Sequence, residues 1–444
     1  MKEPVAALLD CLARHAPGRP VGVAVSGGGD SMALLVLAAE AGLAGGAATV
    51  DHGLRPEAPG EAAAVGALCA RLSVPHAVLP WRHAGAGNLQ AAARAGRRDL
   101  LACWARARGL RAVLLGHTLD DQAETVLMRL ARGSGVDGLS GMEESFALGD
   151  VLFLRPFLSV PRAALREVLK ARGIGWCEDG SNADARFQRV RARQALTALG
   201  PLGITAQGLA ATAARLRDAR AALEAQVDAV LSRHAREAAG MVVLSRAVLD
   251  LPAEVRDRVF LRVLQGLCGP GYPPRRAALT RWIAQAQGRI EAGRGGALRG
   301  CVLQAGPDGL LLHREPAAVQ GQAVPAGQVW DRRWQAVAPP SDREGPSGAS
   351  GLELRALGAA GLLALSRGAK AGCHAHWRAL GLPRAALAAQ PGLWRGDRLV
   401  AAPGAGWPAG WRLRVTSALG GRAVLLPPGE DASRGDDGLI HPAR

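Results

Sequence analysis

The amino-acid sequence predicts an α/β protein: a parallel-sheet domain comes first, a helical domain follows, and a small mixed α/β domain ends the chain. The first 200 residues alternate short apolar runs with helical patterns, which is typical of strands joined by crossover helices. Near residue 205 long helical stretches replace this alternation, and glycine-broken strands follow them. Because 444 residues exceed one ordinary domain, we predict domains at 1–200, 205–315 and 325–444.

The elements of the first domain follow from the spacing of its apolar residues. Short apolar runs predict buried strands, and repeats at helical spacing predict the helices between them. The strands are expected at 21–25, 47–50, 76–80, 112–116 and 151–157. The helices are expected at 31–41, 61–72, 89–108, 119–132 and 161–172.

Helical patterns dominate after residue 200. Helices are expected at 205–239, 251–267 and 274–290. A hairpin is expected at 296–315, with its turn at residues 307–309. Residues 338–351 have the composition of a loop or linker, a helical segment follows near 369–388, and the tail from residue 429 is expected to fray.

The charge balance favours a polyanionic partner. Lysine and arginine total 54 against 38 acidic residues, which gives a formal net charge of +16. Substitution of arginine for lysine in a GC-rich genome would not by itself produce this excess. We therefore expect contact with nucleic acid.

Cysteine usage and hydropathy exclude several classes of protein. Seven cysteines at wide spacings, without a CxxC motif, argue against a disulfide framework, a thiolate zinc site and a redox pair. Residues 1–20 lack the uncharged core of a signal peptide, and no run approaches the ~18 apolar residues that a membrane span needs. These observations predict a soluble, cytoplasmic protein with no membrane partner.

A glycine-rich loop joins the first predicted strand to the next helix. Backbone N–H groups in such a loop can surround an anion, and the helix N-terminus adds further donors. The loop has no lysine and does not match the Walker A pattern, but its acid could hold a Mg²⁺ ion against phosphates. A tight turn with a capped helix is the alternative. The loop residues are Ser26, Gly27, Gly28, Gly29, Asp30 and Ser31.

Two other loops are expected at the same edge of the sheet. Asp51 and His52 end the second predicted strand, and Gly116 and His117 end the fourth. Ligands bind at the carboxyl ends of strands in open α/β sheets. The alternatives are an ordinary polar turn at the first loop and a structural histidine at the second.

The helix expected at 119–132 carries acids in its first turns. Asp121 lies on the face opposite the apolar stripe, and Glu124 lies beside it. These carboxylates predict an acidic cluster next to the glycine-rich loop. A solvated helix face, with Asp120 and Asp121 complementing the helix dipole, is the alternative.

Three motifs together resemble the tRNA(Ile)-lysidine synthetases of the N-type ATP pyrophosphatase (PP-loop) superfamily. They are SGGGDS, DHGLR and the long GHTLDDQAETVLMRLARGSGVDGL stretch, and the likeness spans roughly residues 20–195. The segments GNLQAAARAGRRDLL and CEDGSNADARFQRVRAR also resemble family patterns. Gly180 departs from a common proline, and Val190 departs from a common asparagine. The matching residues in the second segment are Glu178, Asp179, Ser181, Asn182, Arg189 and Arg191.

The resemblance implies a ligase with a Rossmann-like PP-loop domain that uses ATP and Mg²⁺. Its partners would be L-lysine and a tRNA(Ile) with a CAU anticodon, gripped in part by the accessory domains. The wobble cytidine would be adenylated at its carbon-2 oxygen, and lysine would then displace AMP to form lysidine. Whether the chain works as a monomer or a homodimer stays open.

The candidate site residues fall into three groups. For ATP they are Ser26, Gly27, Gly28, Gly29, Asp30, Ser31, Asp51, His52 and Gly116, and Asp30 is the candidate Mg²⁺ ligand. The candidate catalytic residues are Asp30, His117, Asp121, Glu124, Arg189 and Arg191, whereas Arg193 is predicted on a solvated helix face.

Three other functions remain as alternatives. A tRNA-thiolating enzyme of the same superfamily would commonly carry paired cysteines, and an amide-forming synthetase would need a glutaminase partner or domain. A tRNA-binding protein without catalysis would not need the acids at Asp30, Asp121 and Glu124.

Overall fold

The computed structural model describes residues 2–53, 58–82, 89–177, 188–269, 271, 273–289, 296–306, 309–339, 351–367, 383–420 and 423–426. The chain divides into two compact units, Met1–Ala221 and Ala222–Arg444. The three-domain division at 1–200, 205–315 and 325–444 stays a prediction. No helix among the described residues is long and apolar enough to cross a membrane.

The first unit is built on a six-stranded sheet. Its strands are β1 Val21–Ala24, β2 Ala44–Asp51, β3 His76–Pro80, β4 Ala112–Leu115, β5 Ser145–Leu148 and β6 Val151–Leu154. The strand order is β3-β2-β1-β4-β6-β5, and every pairing is parallel except the one between β5 and β6 at the edge. The predicted α/β fold with a parallel sheet is therefore confirmed. The edge strand β5 was not predicted because it is only four residues long and has no fully buried residue.

Helices cover both faces of this sheet. Val21 and Val23 of β1 pack in one apolar cluster, and Ala24 packs in another, because successive residues of a strand face opposite sides. Burial on both faces explains why β1 and β4 read as continuous apolar runs. The helices are α1 Lys2–His15, α2 Gly29–Glu40, α3 Ala58–Arg71, α4 Leu89–Ala107, α5 Leu119–Leu130, α6 Val136–Leu139, α7 Arg162–Lys170 and α8 Gln188–Leu199.

A long helix, α9 Ala206–His234, continues from the first unit into the second. The predicted helix at 205–239 was wrong at its end, since residues 235–238 form a strand. Ala239 and Gly240 have φ values of 48° and 75°, which turn the chain back into a hairpin. The helical alanine pattern concealed this turn.

The second unit contains a five-stranded antiparallel sheet of order β7-β8-β11-β10-β9. The predicted hairpin at 296–315 is confirmed as the β10–β11 pair, with one further strand, β9, before it. The strands are β7 Ala235–Ala238, β8 Met241–Leu244, β9 Gly296–Leu298, β10 Cys301–Gly306 and β11 Gly309–Arg314. The accompanying helices are α10 Ala253–Cys268 and α11 Arg276–Arg289.

Two four-stranded antiparallel sheets complete the second unit, with orders β12-β15-β16-β17 and β13-β14-β18-β19. Their strands are β12 Ala323–Pro325, β13 Val329–Trp330, β14 Trp334–Val337, β15 Glu353–Ala356, β16 Pro391–Arg395, β17 Arg398–Ala401, β18 Arg412–Val415 and β19 Val424–Leu426. The short helices are α12 Pro316–Val319, α13 Gly358–Leu365 and α14 Arg384–Ala388. Most of the predicted linker at 338–351 and of the predicted helix at 369–388 lies outside the described residues.

Candidate active site

The glycine-rich loop forms a cradle of backbone donors between β1 and α2. The Ser31 hydroxyl donates to the Gly28 carbonyl at 2.9 Å and accepts from the Ser26 amide at 3.1 Å, which fixes the turn. Gly27 has a φ of +86°, a conformation that favours glycine. Within the described chain, the N–H groups of Gly27, Gly28 and Gly29 make no hydrogen bond. Free amides at a helix N-terminus suit an anion such as phosphate.

Gly116, just after β4, lies directly against the first turn of α2. A Cβ atom at this position would lie 3.0 Å from the backbone nitrogen and Cα of Ser31. Such a distance is closer than side chains tolerate without a shift of the helix backbone. Glycine at this position therefore lets the loops that follow β1 and β4 approach each other, and this contact places Gly116 beside the glycine-rich loop.

A cavity of about 140 Å³ opens at the carboxyl ends of β1 and β2, between α3 and α4. Asp51 is fixed there by a hydrogen bond to its Oδ1 from the Gly53 amide at 2.8 Å. Three predicted ATP-site residues, Ser26, Asp51 and His52, line this cavity, whereas Gly116 lies on the other side of the cradle. Other lining residues include Thr49, Ala58, Glu61, Arg97 and Leu101.

Arg162, at the start of α7, connects the acids of two different helices. Its Nε donates to Asp30 Oδ2 at 3.0 Å, and its Nη2 donates to Asp121 Oδ1 at 3.3 Å. Its Nη1 lies 3.9 Å from Glu124 Oε1. The backbone N–H of Arg162 also donates to Asp120 Oδ2 at 2.7 Å. The Arg162 guanidinium thus interacts with three carboxylates at once. Its side chain is largely buried, and these interactions are stronger there because the effective dielectric constant is lower than in water.

The N-terminus of α5 explains how Asp121 reaches this position. Thr118 caps the helix, and Asp121 Oδ2 accepts hydrogen bonds from the Thr118 amide at 2.9 Å and its hydroxyl at 3.0 Å. Burial opposes ionisation, but Arg162 and the Thr118 amide outweigh it and lower the pKa of Asp121. Asp121 is therefore a carboxylate with both oxygens held.

Glu124 lies one helical turn further along α5 and is almost fully buried, with 1% of its side chain exposed. Arg193 on α8 donates to Glu124 Oε1 at 3.0 Å, while Glu124 Oε2 is buried and finds no hydrogen-bond partner in the described part of the chain. Burial, followed by the charge of Asp121, raises the pKa of Glu124. The prediction of a solvated Arg193 was wrong, because its guanidinium offsets the buried charge of Glu124.

The two carboxylate oxygens of Asp30 differ in their hydrogen bonding. Oδ2 accepts from Arg162, while Oδ1 is buried and has no hydrogen-bond partner among the described residues. Burial raises the pKa of Asp30 more than the charge of Arg162 lowers it. A partnerless carboxylate oxygen next to a phosphate cradle suits a hard divalent cation such as Mg²⁺, which prefers oxygen ligands.

His117 follows Gly116 at the end of β4 and is buried close to Asp121. Burial lowers the pKa of His117 to about 3, although Asp121 opposes this shift. Its imidazole is therefore neutral at physiological pH, and no residue that the structure describes forms a hydrogen bond with its buried Nδ1. A neutral ring of this kind can donate or accept a hydrogen bond but is a weak base.

The positive charges of Arg97, Arg155 and Arg189 act on His117 and lower its pKa further. Arg189 on α8 acts electrostatically on His117 and also on Arg94 and Arg97 of α4. Burial, together with these like charges, lowers the pKa values of Arg94 and Arg97. No ion pair within the described residues neutralises these two arginines or Arg189. Such a cluster attracts an anion.

The structure separates the two predicted arginines of α8. Arg189 and Arg193 are four residues apart and so share a helix face, which is directed to the acidic cluster. Arg191 is exposed between them, and the structure does not bring it to the cluster. The predicted residues Glu178, Asp179, Ser181 and Asn182 lie outside the described residues, as do Gly180, Leu54, Arg55 and the 87–88 segment.

Sequence reasoning missed Arg162. Its partners Asp30 and Asp121 are far away in the sequence, so no local motif connects them. One signal was available, since Arg162 is the first residue of α7 and a cation at a helix N-terminus opposes the helix dipole. A cation at this position requires nearby carboxylates.

Known proteins resemble this chain over much of its length. A family model described as a PP-loop domain matches residues 1–199. The tRNA(Ile)-lysidine synthase of Ruegeria pomeroyi is 43% identical over 407 residues, covering 90% of this chain and 92% of that protein. The tRNA(Ile)-lysidine synthase of Methylobacterium nodulans is 44% identical over 316 residues, covering 67% of this chain and 88% of that protein.

Among solved structures, the U34-tRNA thiolase NcsA from Methanococcus maripaludis matches with a TM-score of 0.41 and 18% identity, covering 48% of this chain and 77% of that chain. The relatives decide the family, since a protein 43% identical matches along nearly the whole of both chains. The chain belongs to the tRNA(Ile)-lysidine synthase family of PP-loop enzymes.

Proposed function

We propose that this enzyme joins free L-lysine to carbon 2 of the wobble cytidine in a tRNA(Ile) with a CAU anticodon, converting ATP to AMP and pyrophosphate. The relatives are tRNA(Ile)-lysidine synthases, and this activity indicates the substrate class. The observation that carries the proposal is the position of Arg162, which joins the acid of the phosphate cradle to the acids of α5. A site for ATP and a site for a cationic nucleophile therefore adjoin each other.

In the first half-reaction, the carbon-2 oxygen of cytosine attacks the α-phosphorus of ATP, and pyrophosphate leaves. The free amides of Gly27, Gly28 and Gly29 hold the pyrophosphate end, and the cavity beside Asp51 takes the nucleoside. Asp30 would hold Mg²⁺ through its partnerless oxygen, and the bound ion would supply neutralisation of phosphate charge. Arg189 stabilises the negative charge of the adenylate, and Arg191 contacts the tRNA backbone from its exposed position.

In the second half-reaction, the ε-amine of lysine attacks carbon 2, a C–N bond forms, and the bond to AMP breaks. The lysine ammonium must first lose a proton to become a nucleophile. Glu124 suits this task, since burial raises its pKa and leaves one oxygen without a partner. Asp121 holds the ammonium, and neutral His117 orients the cytosine by a hydrogen bond.

Incorporation of radiolabelled lysine into a CAU-anticodon tRNA(Ile), with ATP and Mg²⁺, tests the proposal. A methionine tRNA with the same anticodon is the control, and label on the isoleucine tRNA alone is expected. Release of pyrophosphate without label would contradict lysine as the nucleophile and favour a sulfur or ammonia donor. Absence of both signals would leave a tRNA-binding protein without catalysis.

Replacement of Asp30 by alanine separates adenylation from binding. We expect D30A to lose pyrophosphate release while it retains most of its tRNA affinity, because Asp30 contacts the ATP side of the site. Asp150, exposed on the other edge of the sheet, provides the matched variant D150A, which should keep full activity. Normal ATP turnover by D30A would refute the assignment of Asp30.

The second unit, with the predicted domains at 205–315 and 325–444, would grip the body of the tRNA. The excess positive charge of the chain supports this role, since binding of basic residues to phosphates releases counterions. A steep fall of tRNA affinity with rising salt is therefore expected for the full chain. Affinity independent of salt would contradict an electrostatic grip.

A further inference from the structure

Two cysteines of the second unit meet although they are 33 residues apart in the sequence. Cys268 is the last residue of α10, and Cys301 is the first residue of β10. Their Sγ atoms lie 3.0 Å apart. The wide spacing and the lack of a CxxC motif argued against a redox pair, but the fold brings these two thiols together.

The surroundings of the pair distinguish the two thiols. Arg314 Nη1 lies 3.5 Å from Cys268 Sγ, and the backbone carbonyl of Arg299 accepts a hydrogen bond from this sulfur at 3.1 Å while Cys268 is protonated. Asp331 holds Arg314 through two hydrogen bonds of 2.8 and 2.9 Å. Cys268 is half-buried, whereas Cys301 is fully buried. A reagent from solution therefore reaches Cys268 first.

Electrostatics favour the thiolate at the accessible sulfur. A hydrogen bond from Cys301, followed by the charges of Arg314 and Arg299, lowers the pKa of Cys268 in spite of its burial. The same hydrogen bond and burial raise the pKa of Cys301. Arg332 and Arg333 add positive charge nearby, and Asp331 is the acid that faces the group.

We propose that Cys268 and Cys301 form a thiol–disulfide exchange site that reacts with low-molecular-weight disulfides, with Cys268 as the attacking thiol and Cys301 as the resolving thiol. The Cys268 thiolate attacks one sulfur of the reagent, breaks its S–S bond and releases one thiolate. The released thiolate takes the proton of Cys301, whose sulfur then attacks Cys268 Sγ, breaks the mixed disulfide and releases the second thiolate. Two electrons pass from the cysteine pair to the reagent.

Exposure of the reduced full-length protein to oxidised glutathione tests the site. After free thiols are blocked by alkylation, digestion without reductant should yield one disulfide-linked peptide pair that contains Cys268 and Cys301. The thiols of Cys268 and Cys301 should both be lost, and dithiothreitol should restore them. Cys103, which is exposed, is the internal reference for the reactivity of an accessible thiol.

Single variants test the two roles. In Cys301→Ser the reaction should stop at a glutathione adduct on Cys268, whereas in Cys268→Ser the buried Cys301 should stay unmodified. A wild-type chain in which Cys103 is glutathionylated while both Cys268 and Cys301 remain alkylated would overturn the proposal. Adducts at Cys268 that never resolve in the wild type would also overturn it. Both of these outcomes are measured on the wild-type protein, so the test does not depend on whether a variant folds.

Discussion

Replacement of Arg162 by glutamine removes the cation that the carboxylates of two helices share. The side chain of Arg162 is 19% exposed and pairs with Asp30 and Asp121 at 3.0 and 3.3 Å, with Glu124 at 3.9 Å. Glutamine is nearly as long but carries no charge, so R162Q leaves these acids facing one another. We expect the variant to lose both stability and activity.

The expected loss of stability follows from the burial of these groups. Removal of one partner from a buried ion pair costs about 3–5 kcal/mol because the other charge stays buried without compensation. Since Arg193 still neutralises part of the charge of Glu124, the lower end of about 3 kcal/mol applies. For a unit of this size, that loss corresponds to a fall in Tm of roughly 6–12 °C.

The loss should depend on pH in a definite direction. Arg162 lowers the pKa values of Asp30, Asp121 and Glu124, so all three rise when it is removed. An acid whose pKa is raised on folding destabilises the protein as pH rises through that pKa. The deficit of R162Q should therefore be smaller at pH 5 than at pH 8.

Thermal unfolding at these two pH values, with pyrophosphate release and lysine transfer measured in parallel, tests this reasoning. Arg162→Lys is the matched control, because it keeps the charge but lacks the planar fork that reaches several carboxylates. R162K should regain most of the stability and little of the activity. An R162Q protein with unchanged Tm at both pH values and full lysine transfer would refute the role of Arg162.

Three further substitutions test separate parts of the site. Gly116→Ala should cost about 1–3 kcal/mol of stability and impair ATP use, since its Cβ would press on the α2 backbone. Gly60→Ala is the control, because a Cβ there meets nothing within 4 Å and should not change stability. Equal Tm values for the two variants would count against the close approach of Gly116 to α2. Arg193→Gln should slow lysine transfer more than Arg191→Gln, because only Arg193 contacts Glu124; equal transfer rates in the two variants would contradict this difference. The wild-type protein should lose stability as the pH falls below ~6.5, because the lowered pKa of His117 makes the folded state bind fewer protons than the unfolded chain. His117→Gln should reduce this acid-induced loss. Identical free energies of urea unfolding across the pH range for the two proteins would argue against a buried neutral imidazole.

Local patterns predicted the parts of this protein that local forces determine. The strand His76–Pro80 lies where its apolar run predicted it, and helix α5 begins within the motif that contains its cap. The glycine-rich loop was recognisable because a phosphate cradle needs glycine and a following helix N-terminus. The carboxyl ends of parallel strands meet at one edge, which brought Asp51 and Gly116 near that loop.

Residues that act through distant partners could not be predicted in the same way. Arg162 is 132 residues from Asp30, and its role depends on how α2 and α7 pack. The cysteines at 268 and 301 are joined by a helix end and a strand start that share no motif. Arg193 and Arg191 look alike in the sequence, and only the helix face that meets α5 separates them.

Under the proposed function, the charges of the acidic cluster would let one site serve both half-reactions. When ionised, Asp30, Asp121 and Glu124 carry three negative charges; Arg162 and Arg193 pair with them, and Arg189 also acts electrostatically on Asp121. Two oxygens of this cluster, Asp30 Oδ1 and Glu124 Oε2, are buried without a hydrogen-bond partner among the described residues. A cation held at Asp30 would weaken the interaction of Asp30 with Arg162, which would then interact more strongly with Asp121 and Glu124. Occupation of the proposed ATP side would thus adjust the acids proposed to receive the lysine ammonium, and Arg162 would transmit this adjustment.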